Sequence, residues 1–532
     1  MKKVVACLLV LLFSFSFISC TSKEYVVSDD LLTVSSSVED NNRVYYEIFL
    51  GAFSDSNDDG IGDLQGLINR LDYLNDGDPN SGKSLGIEGI WLMPIMPSPS
   101  YHKYDVTNYE SIDDDYGTID DFTELIEECD ARGIDVIIDL VLNHTSNQHP
   151  WFRAAKQALI DGDMDNQYLD YYVIVTQDEE ESGKAYAQIY GDYYYECNFS
   201  TSMPELNLDS ENVRNEIVSI ITYWYNLGVH GFRLDAVKYA YLNDEAKNIE
   251  FWSWFASECR KIEPDTYLVG EDWSSESYVA TYYQCFSAFD FGMSQQDGAI
   301  ASTANCVEDV NWYVDYIASY RSLVESYNAD AILTPFISNH DMNRAAGYLS
   351  VSDGRMQMAA NLYILTYGTP FIYYGEEIGL KGSRSPSENT DANRRLKMLW
   401  GDKDTVEDPI GATYPITSQT NGTVKEQLKD SDSIFNHYKK LIMLRNANPE
   451  IAHGEYTALE FTGYSCFGGF LSTYNDSTVG VFHNTSMSPV TIDLSQYTTY
   501  EFTTLRGYVG AGTASLSGQT LTIDGLTSVV LK

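Results

Sequence analysis

Basic residues are scarce in this sequence: 33 Lys and Arg stand against 78 Asp and Glu, a formal charge of −45 over 532 residues. A field of that sign repels nucleic acid and anionic lipid headgroups, and suits a neutral substrate and bound cations. Cysteine is also sparse, with 8 in all. None falls in CxxC spacing, which argues against a zinc site. Cys129, Cys197, Cys259, Cys285, Cys306 and Cys466 are scattered, and no pairing follows from their spacing. No internal repeat or low-complexity tract is present, and no glycine fingerprint of a dinucleotide fold follows the first apolar run. A chain of this length is too long for one small core, so two or three domains are expected. Its 44% hydrophobic content is ample for packing them.

The N-terminus reads as an export signal. Lys2 and Lys3 precede the apolar run "VVACLLVLLFSFSFIS", too short to span a bilayer and followed by Cys20. "FISC" resembles a bacterial lipoprotein cleavage site, with Phe17 where Leu is usual. Residues 1–19 are therefore expected to be removed, Cys20 lipidated, and residues 20–43 left as a polar tether. Such an anchor would hold an otherwise soluble, monomeric protein at the periplasmic or outer surface; plain secretion is the alternative.

From residue 44 apolar runs alternate with amphipathic segments. The runs are 44–50, 87–95, 134–144, 231–237, 267–273, 287–293, 332–341 and 371–379. Helices are expected at 64–74, at 118–133 with Thr118 as N-cap, and at 212–228. Eight apolar strands alternating with helices predict a parallel sheet closed into a (β/α)8 TIM barrel, over 44–144 and 212–449. An open doubly wound sheet is the alternative. Residues 145–211 interrupt the rhythm and are expected to form an inserted domain. Residues 450–532 read as short strands and turns, a C-terminal β-sandwich.

Polar residues gather at the strand ends: Asn143 and His144, Arg233 and Asp235, Glu271 and Asp272, His340 and Asp341. One charged strand end is an ordinary solvated rim. Four at one barrel mouth would repel and perturb one another, as catalytic carboxylates do. Arg233, two residues before Asp235, would favour its ionised form. Burial beside Trp273, two residues after Glu271, would favour the protonated form of that acid.

The segments "DLVLNH" (139–144), "GFRLDAVKY" (231–239), "LVGEDW" (268–273) and "FISNHD" (336–341) resemble the four main segments of the α-amylase family, glycoside hydrolase family 13. "GIEGIWLMPIMPS", "MPELN" and "GTPFIYYGEEIG" add to the resemblance, which covers most of 43–530. "MPELN" departs from the more usual "MPDLN". The resemblance implies Asp235 as nucleophile, Glu271 as general acid/base, and Asp341 as the residue that holds sugar hydroxyls. It implies that His144 and His340 bind the same sugar, that Arg233 orients Asp235, and that Tyr104 stacks under the ring. Ala236 and Lys238 resemble α-1,4-specific relatives, whereas "GEEIG" is similar to oligo-1,6-glucosidase. The implied substrate is starch, maltodextrin or a related α-glucan cut internally. An exo-acting glucosidase, a glucosyl transferase or an inactive glycan-binding lipoprotein are the alternatives.

"DSNDDGIGD" (55–63) opens as an EF-hand does, but position 12 of such a loop is Gly66 and not Glu. It lies between a strand and a helix, and resembles the calcium loop of the oligosaccharide-cleaving branch of the same family. Asp55, Asn57, Asp59 and Asp63 would bind calcium through side chains and Ile61 through its carbonyl, with Gly60 and Gly62 giving the backbone freedom. A second metal at Asn143 would need the carbonyl of Tyr239, where true α-amylases carry His.

Overall fold

The computed structural model describes residues 40–79, 81–384 and 389–532. The expected signal, tether and Cys20 lie outside the described residues. Seven strands form one parallel sheet: Tyr45–Ile48, Gly89–Leu92, Asp135–Leu140, Gly231–Leu234, Tyr267–Gly270, Ser287–Ala288 and Phe371–Tyr373. The last pairs with the first, in parallel. The remaining gap is bridged by two parallel contacts, Phe289 with Thr334 and Phe336 with Phe371. Residues 334–336 thus take the seventh position, and the sheet closes as a barrel. This seventh run is barely a strand, because Pro335 has no N–H to give to a ladder.

Alternation along the strands sets two cores. Tyr45, Trp91, Ile137, Tyr267, Val269, Phe289, Phe336 and Phe371 point into the barrel and pack as one buried cluster. Their neighbours Tyr46, Ile90, Val136, Ile138, Phe232 and Leu268 point outward into the larger core under the helices. Both faces are buried, which is why the strands read as unbroken apolar runs. The helix expected at 118–133 is Ile119–Asp130, started by a Thr118–Asp121 capping box. The helix expected at 212–228 is Glu211–Asn226, capped by Ser210. The one expected at 64–74 is broken into Leu64–Ile68 and Leu71–Leu74.

After the third strand the chain leaves the barrel. It forms the helix Pro150–Asp161 and a small antiparallel sheet of Ile174–Thr176, Tyr186–Tyr190 and Tyr193–Glu196. The C-terminal region is all-β, with a five-stranded sheet that includes Phe467–Tyr474 and Thr527–Leu531, and a three-stranded sheet beside it. Its own core is built on Phe461, Phe467, Phe482 and Leu521. A disulfide between Cys306 and Cys466 ties this region to the barrel; Cys129, Cys197, Cys259 and Cys285 are buried and free.

Candidate active site

The parallel register brings the polar strand ends together. Asp139 pairs with Arg233 across the third and fourth strands. The Glu271 amide donates to the Leu234 carbonyl at 3.0 Å, which sets Glu271 one step beyond the sheet, close to Asp235. Arg233 is the hub. Its Nη1 donates to both oxygens of Asp139 at 2.8 and 2.9 Å and to Asp235 Oδ1 at 2.8 Å, while Nη2 donates to Glu271 Oε2. The guanidinium is wholly buried and lies 5.1 Å from the Trp91 ring. One cation therefore serves three carboxylates.

Burial is the largest influence on these acids, and it pushes Asp235 and Glu271 up despite the opposing pull of Arg233. Arg233 does contact Asp235 and favours its ionised form as expected, but desolvation outweighs that pull. Asp139, fully buried, is pushed up to about 7 by the same cause. Glu271 is buried, and Trp273 lies against it as its spacing suggested. Trp273 itself is 42% exposed, and its indole N–H donates to Glu271 Oε1 at 2.5 Å.

Asp341 behaves differently. Burial raises it, but His340, Arg395 and Arg233 together hold its carboxyl well below the usual range. Arg395 Nη2 donates to Asp341 Oδ1 at 2.6 Å. His340 Nδ1 meets Glu47 Oε1 at 2.6 Å, and its Nε2 lies 3.2 Å from Asp341 Oδ2 and 2.7 Å from the Tyr104 hydroxyl. Burial opposes a charged imidazole, but Asp341 and Glu47 outweigh it and bring His340 up to about 10. Tyr104 also donates to Asp139 Oδ2 at 3.0 Å and stacks on the His340 ring.

His144 is buried beside Phe199, held neutral by desolvation with its pKa near 4, and its Nε2 has no partner. Lys238 sits at the rim, with Nζ 3.3 Å from the Trp273 carbonyl and 3.7 Å from Asp272. Ala236 takes a left-handed φ of 47°, a strained conformation for a residue with a Cβ, as the chain turns away behind Asp235.

Asp139, Glu47 and Arg395 were missed in the sequence. Asp139 stood in a quoted segment as an ordinary strand residue. Glu47 lies within the first apolar run, and its single charge among apolar neighbours was the available signal. Arg395 follows no strand, and nothing in its local pattern marks it.

The 55–63 loop lies apart from these strand ends. Asp55 Oδ1 accepts from the Asn57 and Asp58 amides and Oδ2 from the Gly60 amide and the Thr405 hydroxyl. Asn57 accepts from Asp59 and Asp59 from Ile61; Asp63 caps the next helix through Gly66 and accepts from Ser56. The oxygen donors are of the kind calcium takes. Among the described residues, however, no three His, Cys, Asp or Glu side chains converge as a metal site, and here the loop's own amides hold its oxygens. Gly60 does have a positive φ of 91°, but Gly62 does not: a Cβ there would come within 2.1 Å of the Leu50 carbonyl, so its role is close packing.

A family model described as the α-amylase catalytic domain matches residues 47–454. The chain belongs to the α-amylase family. Alpha-amylase 3 of Dictyoglomus thermophilum is 37% identical over 451 residues, 83% of this chain and 84% of that protein. An oligo-1,6-glucosidase of Bacillus sp. (strain F5) is 30% identical over 504 residues, 78% of this chain and 94% of that one. Among solved structures, Eubacterium rectale Amy13B has a TM-score of 0.86 at 36% identity, covering 96% of this chain and 99% of that one. The protein is thus a glycoside hydrolase of the α-amylase type, and its family acts on α-glucans.

Proposed function

We propose that this α-amylase-family enzyme cuts internal α-1,4 bonds of starch and maltooligosaccharides by a retaining double displacement. The observation that carries the reading is the bridging of Asp235 and Glu271 by adjacent nitrogens of one buried guanidinium. That gathers the two acids at one point of the site, as a retaining enzyme with its carboxyls about 5–5.5 Å apart requires. Asp235 attacks the anomeric carbon while Glu271 protonates the leaving oxygen. Glu271 then takes a proton from water as that water opens the glycosyl–Asp235 ester. Asp341, fixed by Arg395 and His340, grips the hydroxyls of the distorted sugar, and Tyr104 and His144 border the same ring. Ala236 and Lys238 support α-1,4 specificity.

Export belongs to the same proposal. The Cys306–Cys466 disulfide supports it, since such bonds persist in oxidising compartments. Anchoring through Cys20 and a monomeric state are proposed on the sequence alone. Among the described residues no helix is long and apolar enough to cross a membrane. Calcium is proposed for the 55–63 loop, because Asp55, Asp58, Asp59 and Asp63 crowd four carboxylates into nine residues and a cation would offset their repulsion.

A time course of products from soluble starch tests the function. A ladder of maltooligosaccharides with fast loss of iodine colour is expected. Glucose alone with slow colour loss would favour an exo-acting glucosidase, and longer products from short donors would favour a transferase.

A further inference from the structure

Both oxygens of Glu271 are engaged by N–H donors: Oε2 by Arg233 and Oε1 by the Trp273 indole. Each such donor favours the ionised carboxylate and so opposes the upward push of burial on Glu271. A general acid must be protonated when substrate arrives, and the loss of one donor adds to burial in favouring that form. Arg233 is immobilised: its guanidinium is 0% exposed and is shared with Asp139 and Asp235. Trp273 is 42% exposed, and the aromatic contact it makes is with Phe291, ring centroids 4.5 Å apart. Its neighbour Lys238 holds the Trp273 carbonyl, so the backbone is fixed while the exposed indole can turn.

We propose that Trp273 is a substrate-released latch on the acid: an arriving α-glucan draws the indole off Glu271 and frees Oε1 to carry the proton. The proton comes from solvent, passes to the leaving oxygen as the C1–O bond breaks, and is restored from the water that later opens the intermediate. The sugar's apolar C–H face meets the exposed indole, so contact with substrate and release of Glu271 occur together. Trp273 is a positioning residue in this account. The inference rests on the proposed role of Glu271 as acid/base.

The other charged groups facing Glu271 are Arg233, Asp235, Asp341 and His340, with Asp272 beside it and Lys238 on Asp272. None is altered by Trp273→Phe, which keeps a ring and removes the donor. The basic limb of kcat/KM reports the free enzyme and that of kcat the complex. Loss of a donor to the carboxylate raises the free-enzyme value, so the kcat/KM limb is expected to move up by about one pH unit. The kcat limb is expected to stay, because the latch is already open in the complex. Phe291→Leu leaves the donor but removes its support, and is expected to give a smaller shift in the same direction. Equal shifts of both limbs, or no shift in either variant, would overturn the proposal. If Glu271→Gln stayed active, the acid assignment itself would fail; if it were inactive and the Trp273→Phe limbs did not separate, only the latch would fail.

Discussion

At the scale of residues, burial pushes Asp235 and Glu271 up, while the charges around Asp341 hold it down. Arg233 is buried with Asp139, Asp235 and Glu271, and Asp139 neutralises it without meeting solvent. Removing one partner of a buried pair leaves a charge uncompensated, at a cost of about 3–5 kcal/mol. Arg233→Ala, which leaves Asp139, Asp235 and Glu271 buried without their shared cation, is therefore expected to lose that much stability in urea unfolding and to lose activity with it; a stable variant would contradict the hub role of Arg233. His340 gives a pH prediction. Its folded value, about 10, lies above its ordinary 6.5, so its stabilising charge is fully present below about pH 6.5 and is lost as pH rises through 10. Glu47→Gln removes one of its two counter-charges. The gap in melting temperature between wild type and Glu47→Gln is expected to narrow from pH 6.5 toward 10; a constant gap would contradict the pairing. The three acids were legible because each ends an apolar strand. Glu47, Asp139 and Arg395 were not read as site residues, since they act through partners brought close by barrel closure, and sequence distance hides those contacts.

At the scale of elements, the strands were legible wherever both faces are buried, because an apolar run then has no polar half to blur it. The seventh was overextended: 332–341 reads as a ten-residue run, yet it contributes two bridges around Pro335. The helix at Ile119–Asp130 was readable from its Thr118 cap, while 64–74 breaks at Asn69 and Arg70 despite its apolar spacing, and Arg70 turns to Asp402 and Asp404. That salt-bridge partner lies over 300 residues away, so no local rule predicts the break. The 55–63 loop carries its own prediction. Chelation is expected to lower the melting temperature and added calcium to restore it, by the linkage that any ligand of the folded state obeys. An unchanged melting curve in metal-free protein, with no response to calcium, would contradict the calcium proposal.

At the scale of the whole molecule, an acidic, neutral-substrate enzyme was readable from charge and strand order, whereas the joining of its parts was not. The inserted segment after the third strand brings Phe199 against His144 and so walls one side of the cleft. The C-terminal β region is tied to the barrel through Cys306 and Cys466, a pairing that scattered cysteines cannot announce. The central claim is that hydrolysis runs through Glu271 in a cleft that binds α-glucan independently of catalysis. Its most direct test is reducing-sugar release from soluble starch by Glu271→Gln beside wild type, with starch binding measured on both. Loss of the acid/base is expected to cut the rate by about 10²–10⁴-fold while binding persists. Release at the wild-type rate would contradict the account.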